Sequence, residues 1–396
     1  MRYYLSEGAV LKRLETPSVY AVRTDEFYEM DEDAFGFLEA CASSEGSDVQ
    51  EKEREFVDYC LSEGIITASP VRVRRPPVRQ SPVPSLRYLE LQITDRCNLR
   101  CRHCYIGKPK NHSLTIAEIR RVLDEFEEMQ GLRLLITGGE PLIHPHFEEL
   151  NTLLPGYGFR KILFTNGLLL TEEVLKSLHV DEVQFSLDGM EHGHESLRGK
   201  GTFRQVMKKI EAALRTGMEV SIATMVHREN LHEFDEMDAL FRGMGIRDWT
   251  VDLPCPSGNM LDNPLLCLPP EIGGGYLRYG FGEGLHGGGE GFACGYHLIS
   301  VLADGSIAKC AFYGHDPLGT IQDGLWKAWL RMHHVSLAEL ECSDLSCPHL
   351  ESCRGGCRYR ASTQAMGEGT GREKDLYRCF AYGIIETKGH EVPEKT

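Results

Sequence analysis

Residues 88–105 read Tyr88-Leu89-Glu90-Leu91-Gln92-Ile93-Thr94-Asp95-Arg96-Cys97-Asn98-Leu99-Arg100-Cys101-Arg102-His103-Cys104-Tyr105. The first seven alternate like a half-buried strand, so the cysteines fall just beyond a strand end, where α/β folds keep their sites. Three thiolates can hold a four-iron cubane and leave its fourth iron open, one ligand short of the closed four-thiolate site used for electron storage. The missing ligand then comes from a substrate or cofactor. Positions 97, 101 and 104 also fit the i, i+4, i+7 face of a helix with buried thiols. The intervening Asn98, Arg100, Arg102 and His103 favour an exposed loop instead.

Downstream, strand-like and helix-like segments alternate. Strands are expected at Tyr88 to Thr94, Arg133 to Thr137, Lys161 to Thr165, Glu182 to Leu187, Glu219 to Met225 and Trp249 to Leu253. Helices are expected between them, notably Thr115 to Met129, with apolar residues at 116, 119, 122, 123 and 126, and Thr202 to Arg215. This alternation predicts a parallel sheet with crossover helices, an incomplete (β/α)6 barrel over residues 87–272 with sites at the carboxyl ends of its strands. Those ends carry Thr137-Gly138-Gly139-Glu140-Pro141, Thr165-Asn166-Gly167 and Ser186-Leu187-Asp188-Gly189. The two glycines let the backbone approach a ligand, and Glu140 can accept from an ammonium group; a plain turn is the alternative.

Composition shifts twice outside that block. Residues 69–86 hold a Pro- and Arg-rich stretch that reads as an extended linker after an N-terminal module, residues 1–68. Residues 273–293 hold ten glycines, where regular structure is improbable, and read as a flexible bridge or a lid. Residues 294–396 hold seven of the chain's fourteen cysteines. In a chain with no signal-peptide core and no run of about 18 apolar residues, so many cysteines imply cytoplasmic metal or redox chemistry rather than a disulfide framework. The formal charge of −16 argues against nucleic acid as the main partner, and the missing apolar run argues against a membrane.

The run Cys97 to Tyr105, with the aromatic residue directly after its third cysteine, resembles the signature of the radical S-adenosylmethionine superfamily. The resemblance implies a [4Fe–4S] cluster on Cys97, Cys101 and Cys104 whose open iron chelates S-adenosylmethionine. Reductive cleavage then yields a 5'-deoxyadenosyl radical that abstracts hydrogen from the substrate. Gly138, Gly139 and Glu140 resemble the family's methionine-amino-group motif. Tyr105, Asn166, Ser186, Asp188 and Arg198 stand where related enzymes reach the cofactor. The resemblance supplies no catalytic base.

The C-terminal cysteines, with Leu318-Gly319-Thr320-Ile321-Gln322-Asp323-Gly324-Leu325-Trp326, resemble the SPASM extension of peptide-modifying radical enzymes. By that analogy Cys294, Cys310 and Cys357 belong to a first auxiliary iron–sulfur cluster, and Cys347, Cys353 and Cys379 to a second. The fourth ligand of the second is Cys342 or Asp344. That of the first is open, with Cys255 and Cys267 as distant candidates. Zinc is an alternative occupant, although Cys347-x5-Cys353-x3-Cys357 lacks the paired spacing of zinc ribbons.

In the N-terminal module, strand-like Ala9 to Leu14, Val19 to Arg23 and Phe27 to Met30 precede helical Glu32 to Ala42 and Val49 to Glu63, with Cys41 and Cys60 as buried thiols. This order resembles the winged-helix-like, PqqD-like module that recognises leader peptides by adding them to a sheet edge. The combination implies a maturase that crosslinks or otherwise modifies a ribosomally made (RiPP) precursor peptide, served by a low-potential donor such as ferredoxin or flavodoxin. Alternatives are a radical enzyme acting on a small molecule such as a tetrapyrrole, one acting on a protein residue as in sulfatase maturation, and a non-catalytic iron–sulfur scaffold.

Overall fold

The computed structural model describes residues 2–49, 54–282, 284, 288–364 and 371–385. Its strands are β1 (Arg2–Leu5), β2 (Ala9–Arg13), β3 (Pro17–Ala21), β4 (Glu26–Glu29), β5 (Ser47–Asp48), β6 (Ile66–Thr67), β7 (Tyr88–Gln92), β8 (Arg133–Thr137), β9 (Arg160–Thr165), β10 (Glu182–Ser186), β11 (Glu219–Met225), β12 (Asp248–Asp252), β13 (Leu298–Val301), β14 (Ser306–Ala308) and β15 (Gly319–Thr320). Strands β7 to β12 pair in parallel in chain order, as an incomplete barrel requires. Sheet residues such as Leu89, Leu91, Ile136, Leu163, Val183 and Ile222 are buried, each worth roughly 1.5–3 kcal/mol relative to exposure.

The crossover helices follow their apolar stripes. Helix Ile116–Glu128 starts at a capping box between Thr115 and Glu118 and buries Ile119, Val122, Leu123 and Phe126, a reciprocal cap that satisfies two orphan donors. Helix Thr202–Arg215 buries Val206, Ile210, Ala212 and Ala213. Among the described residues, no helix is long and apolar enough to cross a membrane.

The sheet does not stop at six strands. Strand β13 pairs in parallel with β7, and β14 and β15 continue antiparallel beyond it. The C-terminal cysteine region is thereby welded to the barrel edge. These three strands are too short to show a period in the sequence.

The N-terminal residues form two antiparallel sheets, β5-β1-β6 and β2-β3-β4, with helices Glu32–Cys41 and Arg54–Ser62. Phe35, Leu38, Cys41, Val57 and Cys60 share their apolar core. This unit docks against the starts of the barrel strands. Arg160 of β9, fully buried, donates to the carbonyls of Val22 (3.2 Å) and Arg23 (2.9 Å) and pairs with Asp25, Glu182 and Glu219. Buried Lys12 donates to the Gly131 carbonyl at 2.8 Å.

The proline- and arginine-rich stretch is extended but not free. Arg75 donates to the carbonyls of Leu5 and Ala9, and Gln80 to that of Leu14. The glycine-rich stretch departs from its expectation, because Pro270–Tyr276 is a helix that runs through Gly273 and Gly274. A Cβ on Gly274 would stand 2.5 Å from the Tyr377 carbonyl oxygen, and one on Gly273 2.7 Å from Leu253 Cδ2. These glycines let helix Leu376–Ala381 pack backbone to backbone, a contact between distant segments that composition cannot show. Further along, Trp249 and Phe281 exchange both backbone hydrogen bonds, while residues 283 and 285–287 lie outside the described set.

Candidate functional site

The Cys97 to Tyr105 run is a loop at the end of β7 rather than a helix. Asn98, Arg100 and Arg102 are exposed, as expected. His103 is not: its side chain is 10% exposed, 3.6 Å from Asp188 and 3.3 Å from Arg198. Cys97, Cys101 and Cys104 all line one cavity of about 330 Å³, together with Tyr105, Gly138, Gly139, Asn166, Ser186, Asp188 and Arg198. The carboxyl ends of the strands therefore bring nearly all the expected site residues together.

Glu140 is the exception. It is fully buried, does not line the cavity, and accepts from Thr165 Oγ1 (2.8 Å), Leu142 N (3.2 Å) and Asn166 N (2.8 Å). Burial pushes its carboxyl up to about 7 against the pull of those bonds. Its structural work is to join the ends of β8 and β9. Asn166, so held, donates to Asn98 Oδ1 at 2.8 Å and lies 3.9 Å from the Cys97 sulfur. Gly138 and Gly139 serve a close approach too, but to protein. A Cβ on either would come within 2.4 Å of the Thr94 or Arg96 carbonyl oxygen, and the Gly139 and Glu140 amides donate to those same carbonyls.

Asp188 and Arg198 form a buried pair at 2.5 Å, and the second carboxylate oxygen accepts from Met225 N. Although burial opposes it, the Arg198 guanidinium holds Asp188 well below the usual carboxylate range. Arg198 also reaches Cys101 at 4.0 Å. Burial pushes the Cys101 thiol up to about 11, with Arg198 opposing that rise. A positive group beside the three thiols suits a site that gathers negative sulfur.

The sequence reading passed over several cavity residues. Thr137 Oγ1 and Gln184 Nε2 are buried with no hydrogen-bond partner among the described residues, so they aim unpaired polarity at whatever fills the cavity. Glu90, Thr250 and Asp252 also line it. Their signal was present: Glu90 with Gln92, Gln184 with Ser186, and Thr250 with Asp252 are polar at alternate positions of strands buried on both faces. In a parallel sheet such strands should read as continuous apolar runs.

Cys255 and Phe312 line the cavity beside the radical loop, and Tyr105 packs on Phe312 at 5.2 Å. Beyond them the C-terminal thiols gather in two groups. Cys294, Cys310 and Cys357 lie within electrostatic reach of one another, and Cys255 within reach of Cys357. Burial and then the charge of Cys357 push Cys294 up to about 11. The second group is Cys342, Cys347, Cys353 and Cys379, where burial and then Cys342 push Cys379 up to about 11. Cys342 is buried in this group, whereas Asp344 is exposed. Among the described residues, no three His, Cys, Asp or Glu side chains converge as they would on a single metal ion. An iron–sulfur cluster spreads its thiolate ligands around a larger body than a lone zinc ion does.

Residues 91–241 match the model of the radical SAM superfamily. The chain is 31% identical over 183 residues to an AdoMet-dependent heme synthase of Oleidesulfovibrio alaskensis, covering 44% of this chain and 47% of that protein. It is 28% identical over 303 residues to mycofactocin maturase MftC of Mycolicibacterium smegmatis, covering 68% and 77%. The chain thus spans about half the length of the haem synthase and three quarters of the maturase. In fold it is similar to SuiB of Streptococcus suis bound to precursor peptide SuiA, with a TM-score of 0.64 at 14% identity over 96% of this chain and 100% of that one. The loop, the strand ends and the matched segment agree: residues 91–241 of the barrel are a radical SAM domain, of the superfamily whose members use a [4Fe–4S] cluster and S-adenosylmethionine.

Proposed function

We propose that the chain is a peptide maturase, in which Cys97, Cys101 and Cys104 hold the cluster that cleaves S-adenosylmethionine and a precursor peptide enters the cavity to lose a hydrogen atom. When bound, that pair of cofactors supplies a carbon-centred radical at the strand ends. The protein's residues do the rest. Arg198, fixed by Asp188, offers positive charge to the cofactor carboxylate; Tyr105, Gly138, Gly139, Asn166 and Ser186 shape its berth; Glu140 acts behind them as a positioning residue.

The observation that carries this reading is one cavity lined by the radical loop together with Cys255 and Phe312, which border the C-terminal thiols. A substrate in it lies near both redox groups, which suits hydrogen abstraction followed by removal of a second electron. In this reading residues 294–396 are a SPASM domain. Cys294, Cys310 and Cys357 hold its first cluster, and Cys342, Cys347, Cys353 and Cys379 its second, with ferredoxin or flavodoxin as the donor. Cys342 takes the place open to Asp344 because it alone is buried among the other thiols. The maturase relative, matched over two thirds of this chain, supports a peptide substrate. The haem synthase likeness is confined to less than half of it and supports the barrel chemistry that both share.

Residues 1–68 are read as the leader-binding module, joined by residues 69–86 to the barrel at 87–272 and by 273–293 to the C-terminal domain. Strand β4 is the edge to which a leader would add, since the outer side of β2 is bridged by Gln80. The module sits at the strand starts and the cavity at their ends. A seven-residue strand such as β11 is roughly 23 Å long, so a bound peptide needs about seven to ten extended residues between leader and modified site.

The test is anaerobic reconstitution and reduction with S-adenosylmethionine and candidate precursors, read by mass spectrometry. We expect 5'-deoxyadenosine and a peptide mass loss in whole hydrogens. A cluster-replete sample that forms no 5'-deoxyadenosine with any candidate overturns the proposal; turnover with a tetrapyrrole and none with peptide replaces the substrate class.

A further inference from the structure

Given that the C-terminal thiols hold clusters, as just proposed, we infer that Cys255 is the fourth protein ligand of the cluster on Cys294, Cys310 and Cys357, delivered to it from the barrel by the loop that follows β12. The other three cysteines lie in the C-terminal region, and none stands close before Cys294 in sequence. Cys255 comes from 39 residues earlier, as the sequence numbering shows.

Its placement is built. Cys255 is 5% exposed and belongs to the same thiol group as Cys357. The two cysteines are tied by one buried arginine and one buried aspartate. Arg360 donates to Asp252 Oδ1 (2.8 Å) and the Leu253 carbonyl (3.4 Å) on the barrel side, and to both oxygens of Asp375 (3.2 and 2.7 Å) on the other. Asp375 Oδ2 in turn accepts from the backbone amide of Cys357 at 2.9 Å. The residues before Cys255 and the amide of Cys357 are thus fixed to the same pair of buried charges.

The competing cysteine is placed elsewhere. Cys267 sits in a separate apolar cluster with Leu197, Met260 and Leu266.

The loop bearing Cys255 goes on to brace the radical site. Ser257 Oγ donates to the Tyr105 carbonyl (3.1 Å), Asn259 N to that of Cys104 (2.9 Å) and Asn259 Nδ2 to that of Cys101 (2.9 Å). One short segment therefore touches both thiol groups. With Cys255 as ligand, the cluster is closed by four thiolates and presents the cavity with a sulfur-capped wall rather than an open iron. Such a site passes electrons and does not bind substrate through iron. On ligation each thiol gives up its proton, and both sulfurs turn to iron.

The test uses the full chain with Cys97→Ala, Cys101→Ala and Cys104→Ala as parent, reconstituted anaerobically and read by iron and sulfide content and by EPR after reduction and after mild oxidation. The parent should hold about eight irons, two four-iron clusters. Adding Cys255→Ala should cost at least one iron on oxidation and produce a three-iron EPR signal. Cys255→Ser, which keeps the side-chain volume should the alanine variant fail to fold, should shift the reduced EPR spectrum. Cys267→Ala should match the parent. Both Cys255 variants matching the parent in iron, spectra and oxidative stability would overturn the assignment while leaving the auxiliary clusters in place, as would iron loss at Cys267 instead. A parent that binds no iron overturns the auxiliary-cluster reading itself, and the assignment with it.

Discussion

Cys97, Cys101 and Cys104 come from one loop, whereas Cys255, Cys294, Cys310 and Cys357 come from four separate segments of chain. The first set is gathered by local turns: the Cys104 amide donates to the Cys101 carbonyl and Gly107 to that of Cys104. The second is gathered by tertiary structure, through the weld of β13 onto β7 and the buried Arg360–Asp375 pair. Closing long loops costs more chain entropy than closing short ones, so the assembled set needs a scaffold that the local set does not. The two should therefore fail differently.

The largest effect is expected at the local set. Cys101→Ala should abolish 5'-deoxyadenosine formation and remove about four irons, with the spectra of the remaining clusters unchanged. Loss of all iron in that variant would break the contrast, by showing that the loop also organises the C-terminal region.

The assembled set should be fragile at its scaffold rather than only at its thiols. Asp375→Asn strips one partner from a buried ion pair, a change that costs about 3–5 kcal/mol. The thermal unfolding midpoint should fall and auxiliary iron should drop, even though no sulfur is altered. The radical loop should still accept its cluster. If Asp375→Asn leaves both the midpoint and the iron content in place, the scaffold argument fails.

The same contrast explains what could be read from the sequence. Strands β7 to β12 follow patterns contained within a few residues, and each lies within a residue or two of its expected bounds. The radical loop, the strand-end residues 138, 139, 166, 186 and 188, and Arg198 at the end of helix Glu191–Arg198 are local in the same sense, and the fold collects them at one cavity. What escaped was non-local. The short β13 exists because β7 offers it an edge, on which β14 and β15 build, and the choice of Cys255 over Cys267 rests on contacts such as those of Arg360, which only the fold shows. Glu140 shows a subtler limit: the motif located it, but only the contacts reveal that its carboxylate is occupied by Thr165, Leu142 and Asn166.

That occupation can be tested. Glu140→Ala leaves two backbone amides and one hydroxyl without their acceptor, and an unsatisfied buried group costs about 1–3 kcal/mol. A residue that positions Asn166 and the loop should lose thermal stability and S-adenosylmethionine affinity together, the latter by about tenfold for each 1.4 kcal/mol transmitted. Calorimetry and titration of the reconstituted variant separate the cases, because weakened binding at an unchanged melting temperature would instead make Glu140 a direct contact.

The smallest effect falls where the sequence misled. A glycine inside an exposed helix is normally improved by alanine, by about 1 kcal/mol. Gly274 lies inside helix Pro270–Tyr276 but is buried, and the added methyl would meet the Tyr377 carbonyl oxygen at 2.5 Å and Phe380 Cβ at 2.7 Å. Backbone cannot swing aside as a flexible side chain can, so the contact costs about 1–3 kcal/mol of overpacking. Set against the helical gain, Gly274→Ala should be net destabilising by about 1 kcal/mol. The displaced element is helix Leu376–Ala381, which bears Cys379. The loss should therefore appear in the second thiol group, as faster oxidative bleaching of its iron, with the radical cluster unaffected. A Gly274→Ala variant more stable than the parent would mean that the two helices are not packed in contact, and that the glycine-rich stretch is the loose bridge its composition suggested.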